Sequence, residues 1–184
     1  MARDTLSRSL HDVGLSAWFG GTLANAVALN AAASAAGDAA STGAVANTGW
    51  DRWTPVNAAA IGLHLAGSIG QLAANQGRLQ GQQGVGAMAV TKTALTAAAL
   101  GATAYSRVLG RKVSQAGAVP AHSATDPHPA TPEPVAKAQK QLKALQWAVP
   151  ALTGALVVVT SFAGEQQRPS EVKKGLVSRL NPAA

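Results

Sequence analysis

The chain has 184 residues and a net charge of +7, and only 12% of its residues are charged, about half of the roughly 25% usual in soluble domains. Its length suits one domain, and the absence of cysteine excludes disulfides and cysteine-ligated metal sites. The basic residues flank apolar segments and have few aromatic residues among them, so we expect them to border a membrane and not to bind nucleic acid.

Four long segments are almost free of charge, and a helix needs about 20 residues to cross a bilayer. They predict a single all-α domain over residues 1–184, an integral membrane bundle of four transmembrane helices in the cell membrane. A soluble alanine-rich helix would need a charged face, and none of the four has one. The predicted spans lie at about residues 13–36, 53–75, 85–107 and 145–162.

The connections differ in composition. Residues 37–52 are rich in turn-forming residues, and Pro55 suits the first turn of the second span because its missing N–H costs nothing there. A long Pro-rich loop between the third and fourth spans, about residues 113–136, is predicted to be disordered or extended. A polar tail, residues 165–184, closes the chain. Basic residues other than Lys92 divide equally between the two sides, so the membrane orientation stays open.

Aromatic residues stand near the ends of the predicted spans. Trp50, Trp53, Tyr105 and Trp147 would all fall on one side of the membrane, as an interfacial belt does. Trp18 would mark the opposite side, at the start of the first span.

Polar side chains within the spans recur at helical spacing and predict a polar seam, mainly between the second and third helices. The short link between these two helices makes them antiparallel neighbours. The candidate seam residues are Lys92, His64, Gln71, Asn57, Ser68, Thr96 and Asn25.

Lys92 is the one charge deep within a predicted span, about seven residues or roughly 10 Å from its start. Three interpretations stay open: its ammonium extends back to the headgroups, it donates hydrogen bonds to Ser68, Gln71 or His64, or it binds an anionic group. No acidic residue lies within a span to pair with it.

His64 is expected to be a hydrogen-bonded core residue. A haem or metal would need a second histidine, and His11 is predicted to lie at a span end, far from the depth of His64. The chain also lacks a phosphate-binding loop, an HExxH motif, a nucleophile elbow and paired carboxylates. We therefore expect no enzyme activity, no catalytic or metal site and no cofactor.

Small residues recur every four positions along the first three spans, for example Gly20 and Ala24 in the first and Ala58, Gly62 and Ala66 in the second. Such faces permit close helix packing in lipid. They predict a non-enzymatic scaffold or accessory subunit that meets the bilayer, a second copy or partner membrane proteins. The alternatives are a small carrier or channel for an anionic or amphipathic solute, which would use the polar seam, and a quinone- or lipid-handling protein.

Three segments carry a family resemblance: "LHDVGLSAWFGGTLANAVALNAAA", "WDRWTPVNAAAIGLHLAG" and "TKTALTAAALGATAYSRVLGRK". They are similar to a group of small uncharacterised four-helix integral membrane proteins of actinobacteria, over about half of the chain. The resemblance implies a membrane location and a bacterial source, and it implies no activity, substrate or site.

Overall fold

The computed structural model describes residues 4–117, 119–168 and 170–174 and is 83% helical, which confirms the predominantly helical fold. A π-helical turn, Asn25–Leu29, joins the first two helices, and a two-stranded antiparallel hairpin precedes the last. The second half of the predicted tail, residues 175–184, lies outside the described residues. The elements are α1 (Thr5–Ala24), α2 (Asn30–Ser34), α3 (Ala39–Ala74), α4 (Gln76–Gly81), α5 (Val85–Gln115), β1 (Ala121–Ser123), β2 (Asp126–Pro127) and α6 (Glu133–Glu165).

The long helices pack as two antiparallel pairs, α1 with α3 and α5 with α6, and α1 also packs against α6. One core cluster takes a residue from each of the four: Trp18, Ala60, Ala99 and Val149. By comparison, α3 and α5 meet sparsely. The seam between α3 and α5 is therefore the loosest of the major helix interfaces.

Glycines determine how closely α1 and α3 approach. A Cβ on Gly14 would overlap the backbone of Ala60 and His64, and a Cβ on Gly67 would overlap the backbone of Ser7 and His11. Each helix thus places a glycine directly on the backbone of the other, a packing that only a residue without a side chain permits.

Of the glycines in the four-residue pattern, Gly70 lies at this interface, against Ser7 of α1, but the closest backbone contacts are made by other residues. A Cβ on Gly20 or Gly62 would meet no atom within 4 Å, so both face away from the neighbouring helices. The interface instead uses small residues spaced by seven, which is a second helical repeat available in the same alanine-rich sequence. They are Gly14 and Gly21 in α1 and Ala60 and Gly67 in α3.

Helix α3 begins about fourteen residues before the predicted second span, so the expected turn-rich link is largely helical. Asp38 caps it: its Oδ1 accepts hydrogen bonds from the backbone N–H groups of Ala40 and Ser41, both at 2.9 Å. A hydrogen bond from the Ser41 hydroxyl, followed by these backbone hydrogen bonds, lowers the pKa of the Asp38 carboxyl. Pro55 lies inside the helix and not in its first turn, which corrects the prediction.

The Pro-rich segment predicted to be disordered or extended contains the β1–β2 hairpin instead. Helix α5 continues to Gln115 and α6 begins at Glu133, which shortens the connection from both ends. The hairpin buries Ala121 and Ala124, and the Thr131 hydroxyl donates to the carbonyl oxygen of Pro120 at 2.6 Å. Buried alanines and internal hydrogen bonds order a segment whose composition gives no sign of them.

Two described helices, not four, are long and apolar enough to cross a membrane. Over their most apolar 18 residues, α5 and α6 have mean hydropathies of 1.3 and 1.6. Polar residues such as His64 and Gln71 lower the hydropathy of α3, and α1 begins earlier than the predicted span and so includes the charged Arg8 and Asp12. The predicted four-span count is therefore supported for α5 and α6 only.

We expect Gly67→Ala to weaken the α1–α3 interface, because the added methyl group overlaps backbone that cannot yield as a side chain would. The free energy of unfolding in detergent should fall by about 1–3 kcal/mol, as is usual for overpacking. Gly62→Ala on the same helix meets open space and should stabilise the helix by up to about 1 kcal/mol. Equal effects of the two changes on the thermal midpoint would contradict this packing.

Candidate functional site

Two clefts lie along the α3–α5 seam, and Leu100 of α5 lines both. The Lys92 cleft has a volume of ≈ 400 Å³ and lies where the end of α3 meets the start of α5. The indole cleft has a volume of ≈ 310 Å³ and lies near the opposite end of the seam, next to the hairpin. Most of the surface of both clefts is apolar.

The Lys92 cleft combines one free cation with an apolar wall. Lys92 is half-buried, and its ammonium makes no hydrogen bond or ion pair with any residue in the described ranges; the Asp12 carboxylate of α1 attracts it only at longer range, where Arg8 opposes that attraction. Ser68 and Gln71 face it from α3, and Thr96 lies one turn along α5. Because burial removes water from a charge, an unpaired cation here favours an anionic group in the cleft.

Arg78 lies in the same cleft but is already engaged. Its guanidinium donates to Asn75 Oδ1, to Gln82 Oε1 and to the backbone oxygen of Gln166, each at 3.0 Å. Burial and the nearby Arg8 lower its pKa, although a guanidinium stays charged at any ordinary pH. Arg78 therefore ties the α3–α5 link to the end of α6 and closes that end of the cleft.

The indole cleft is walled by Trp50 and Trp53 of α3 and by Arg107 of α5. The Trp53 ring lies against Gly21 of α1, where a Cβ would overlap it. Trp50 Nε1 donates to Asn30 Oδ1 at 3.2 Å, which fixes that indole. Arg107 Nη1 donates to Asp51 Oδ1 at 2.9 Å, so the charge on this wall is paired.

The structure brings together four of the seven predicted seam residues and separates the other three. Lys92, Gln71, Ser68 and Thr96 line the Lys92 cleft. Asn57 lines the indole cleft, on the far side of Leu100. Asn25 begins the π-helical turn, and neither it nor His64, which is buried against α1, lines either cleft.

His64 is fully buried against α1, with its ring centroid 4.5 Å from that of His11 and 6.0 Å from that of Trp18. This corrects the prediction that His11 lies far from His64, since α1 begins at Thr5 and runs antiparallel to α3. His11 Nδ1 and Asp12 Oδ1 are 2.7 Å apart, whereas both ring nitrogens of His64 lack a partner among the described residues. The backbone of His11 nevertheless lies against the His64 ring, so a hydrogen-bonded His64 stays a prediction.

Trp18 is a core residue and not an interfacial marker. Its side chain is fully buried, and Nε1 donates to Thr103 Oγ1 of α5 at 3.3 Å. The sequence around Trp18 does not show whether this residue is buried in the core or lies at the membrane interface. Its burial follows from the close packing of α1 on α3 at Gly14, which is a tertiary contact.

Within the described ranges, no three histidine or acidic side chains are grouped so as to hold a metal ion. The hydrogen bonds of Arg78 and the indole cleft were not predicted from the sequence. A signal for the cleft existed, since Trp50, Trp53 and Asn57 recur at the three- and four-residue steps of one helix face.

Comparison with protein-family models, with curated proteins and with solved structures finds no match to this chain. The resemblance to small actinobacterial membrane proteins accordingly stays a prediction, and the function has to be argued from the clefts themselves.

We expect His64→Leu to leave the thermal midpoint unchanged or to raise it, because a buried polar group without a partner costs about 1–3 kcal/mol and leucine fills similar space without that cost. His64→Ala is the control and should destabilise by about 2–5 kcal/mol through the cavity it leaves. If both variants lose stability equally, the ring nitrogens of His64 have partners in the folded protein.

Proposed function

We propose that this chain is a four-span integral membrane protein, with α1 and α3 completing a bundle around the apolar α5 and α6. The support is the exposure of its apolar surface: only 11% and 22% of the most apolar windows of α5 and α6 are buried. A core helix of a soluble protein would be mostly buried. Large side chains such as Val90, Val158 and Phe162 are more than half exposed and need lipid or a partner to cover them.

Spin labels at single introduced cysteines test the membrane location, and the native chain has no cysteine to interfere. In lipid vesicles, labels at Val90 and Val158 should be quenched more by dissolved oxygen, which concentrates in lipid, than by a water-soluble nickel chelate. A label at Lys140, an exposed residue outside the predicted spans, should show the reverse. Nickel-dominated quenching at all three sites would place α5 and α6 in water.

Within that bundle, we propose that the Lys92 cleft binds an anionic amphiphile, as a binding protein or a carrier does. The observation that carries this proposal is the half-buried ammonium of Lys92, which makes no hydrogen bond, in a mostly apolar cleft. The amides and hydroxyls around it, such as Gln71 and Ser68, supply neutral hydrogen bonds to a charged headgroup.

The rest of the cleft suits an alkyl chain. Ile69 and Leu72 line it from α3 and are still 69% and 53% exposed, so the apolar wall continues onto the outer surface of the bundle. A ligand could therefore enter sideways from the lipid, with its chain along these residues and its anionic group at Lys92.

We expect Lys92→Leu to weaken the binding of dodecyl phosphate by roughly tenfold or more, since a hydrogen bond to a charged group contributes about 1.5–3 kcal/mol. Lys92→Arg should retain most of the affinity. Binding is measured by equilibrium dialysis against phosphatidylcholine nanodiscs, with empty nanodiscs as the blank.

Lys112→Leu is the matched control, because it removes a cation from the same helix at an exposed position outside the cleft. It should leave dodecyl phosphate binding unchanged. Equal losses at Lys92 and Lys112 would mean that the ligand responds to net charge alone, and dodecanol bound as tightly as dodecyl phosphate would remove the role of the ammonium.

A second candidate is a scaffold or accessory subunit. Its support is the outward-facing strip of small residues on α3, where Ala58, Gly62 and Ala66 are exposed and a Cβ on Gly62 meets nothing. A partner helix could approach closely there. Under this function Gly62→Leu, and not Lys92→Leu, would disrupt assembly, measured by cross-linking of the chain in its own membrane.

A further inference from the structure

The indole cleft lies apart from the Lys92 cleft and differs from it in size and in walls. Helices α3, α5 and α6 all line it, together with Thr22 of α1 and Ala124 of the hairpin. An engineered cavity of about 150 Å³ is large enough to bind benzene. At ≈ 310 Å³ the indole cleft has room for about two fused rings.

The charges on its walls favour a neutral ligand. Arg107 is paired with Asp51 at 2.9 Å, and Ser114 Oγ donates to the other oxygen of that carboxylate at 3.3 Å. The charges of Arg107 and Asp51 cancel, so an anion that entered this cleft would find no unpaired cation to bind. This separates the indole cleft from the Lys92 cleft, where the cation is unpaired.

Hydrogen-bonding groups on the same walls are left without partners. Trp53 Nε1 and Arg107 Nε are buried donors, and Asn57 Oδ1 is a buried acceptor, with no partner among the described residues. Two of these three unpaired groups are hydrogen-bond donors. Trp50 Nε1 is not among them, because it donates to Asn30. A ligand oxygen that accepts a hydrogen bond would relieve the cost that a buried, unpaired donor carries.

We propose that the indole cleft binds a neutral, planar ring compound with a carbonyl oxygen, that is, a molecule of the quinone class. Its rings pack against the indoles of Trp50 and Trp53, and its carbonyl oxygen accepts from Trp53 Nε1 after a small rotation of that side chain. Asn57, one turn along α3, offers its amide on the same face. This site is separate from Lys92 and does not depend on the function proposed for that cleft.

The test uses the full chain in phosphatidylcholine nanodiscs with 1,4-naphthoquinone as the probe, and equilibrium dialysis against empty nanodiscs subtracts partitioning into lipid. Saturable binding at one site per chain is expected. Trp53→Phe keeps an aromatic ring but removes the N–H, so it should weaken binding about three- to tenfold. Trp147→Phe, at an exposed indole outside the cleft, should have no effect.

Two glycines of α5 provide a matched pair of filling variants. Gly110 lines the indole cleft and Gly101 does not, and a Cβ on either meets nothing within 4 Å. Gly110→Leu should fold normally, as shown by its thermal midpoint, and should lose at least tenfold in naphthoquinone binding. Gly101→Leu should bind as the native chain does.

The proposal would be overturned by a lack of saturable binding above empty nanodiscs, by native affinity in Gly110→Leu, or by naphthoquinone-2-sulfonate bound at least as tightly as the neutral quinone. Loss of naphthoquinone binding in Lys92→Leu but not in Gly110→Leu would also overturn it, because the ligand would then occupy the other cleft. Dodecyl phosphate binding tests the Lys92 cleft, and naphthoquinone binding tests the indole cleft. A negative result with one ligand therefore leaves the proposal for the other cleft unaffected.

Discussion

The close contact between α1 and α3 through Gly14 and Gly67 is the constraint on which the rest of the structure depends. Because each glycine lies directly on the backbone of the opposite helix, α1 and α3 are in close contact along this face, and His11 is placed beside His64. Trp18 then reaches past α3 to contact α5. With this face of α3 taken by α1, α5 packs mainly on α6, and the α3–α5 seam stays open enough to hold two clefts.

The two clefts share an apolar character but differ in how their cations are compensated. Lys92 has no counter-charge within reach of a hydrogen bond, whereas Arg107 has Asp51. In an apolar environment, burying a charge without a partner costs free energy, so the charge attracts a group of opposite sign. A paired cation and anion carry little net charge and attract a neighbouring ion only weakly. The same seam can therefore present an anion site at one end and a site for neutral rings at the other, with Leu100 between them.

Local chemistry in the sequence was enough to predict the helical fold, the position of α5 and the grouping of Lys92 with Ser68, Gln71 and Thr96. That grouping follows from helical periodicity and a short link, both of which can be read without tertiary information. The helix that begins at Ala39 was missed although Asp38 is a good N-cap residue, since the glycines that follow it read as turn formers. Pro55 was likewise placed at a helix start because that is its commonest helical position.

What could not be predicted is the rotation of each helix about its own axis. In an alanine-rich helix, small residues occur on every face, so spacings of four and of seven are both present, and only the partner determines which one is buried. Gly20 and Gly21 are adjacent, yet one faces open space and the other lies beneath the Trp53 ring. A rotation of 100° per residue decides between them. The same rotation packs His64 against His11 of α1, outside the Lys92 cleft, and brings Trp53 to the wall of the indole cleft. Both site assignments therefore depend on helix orientation, which emerges only from packing.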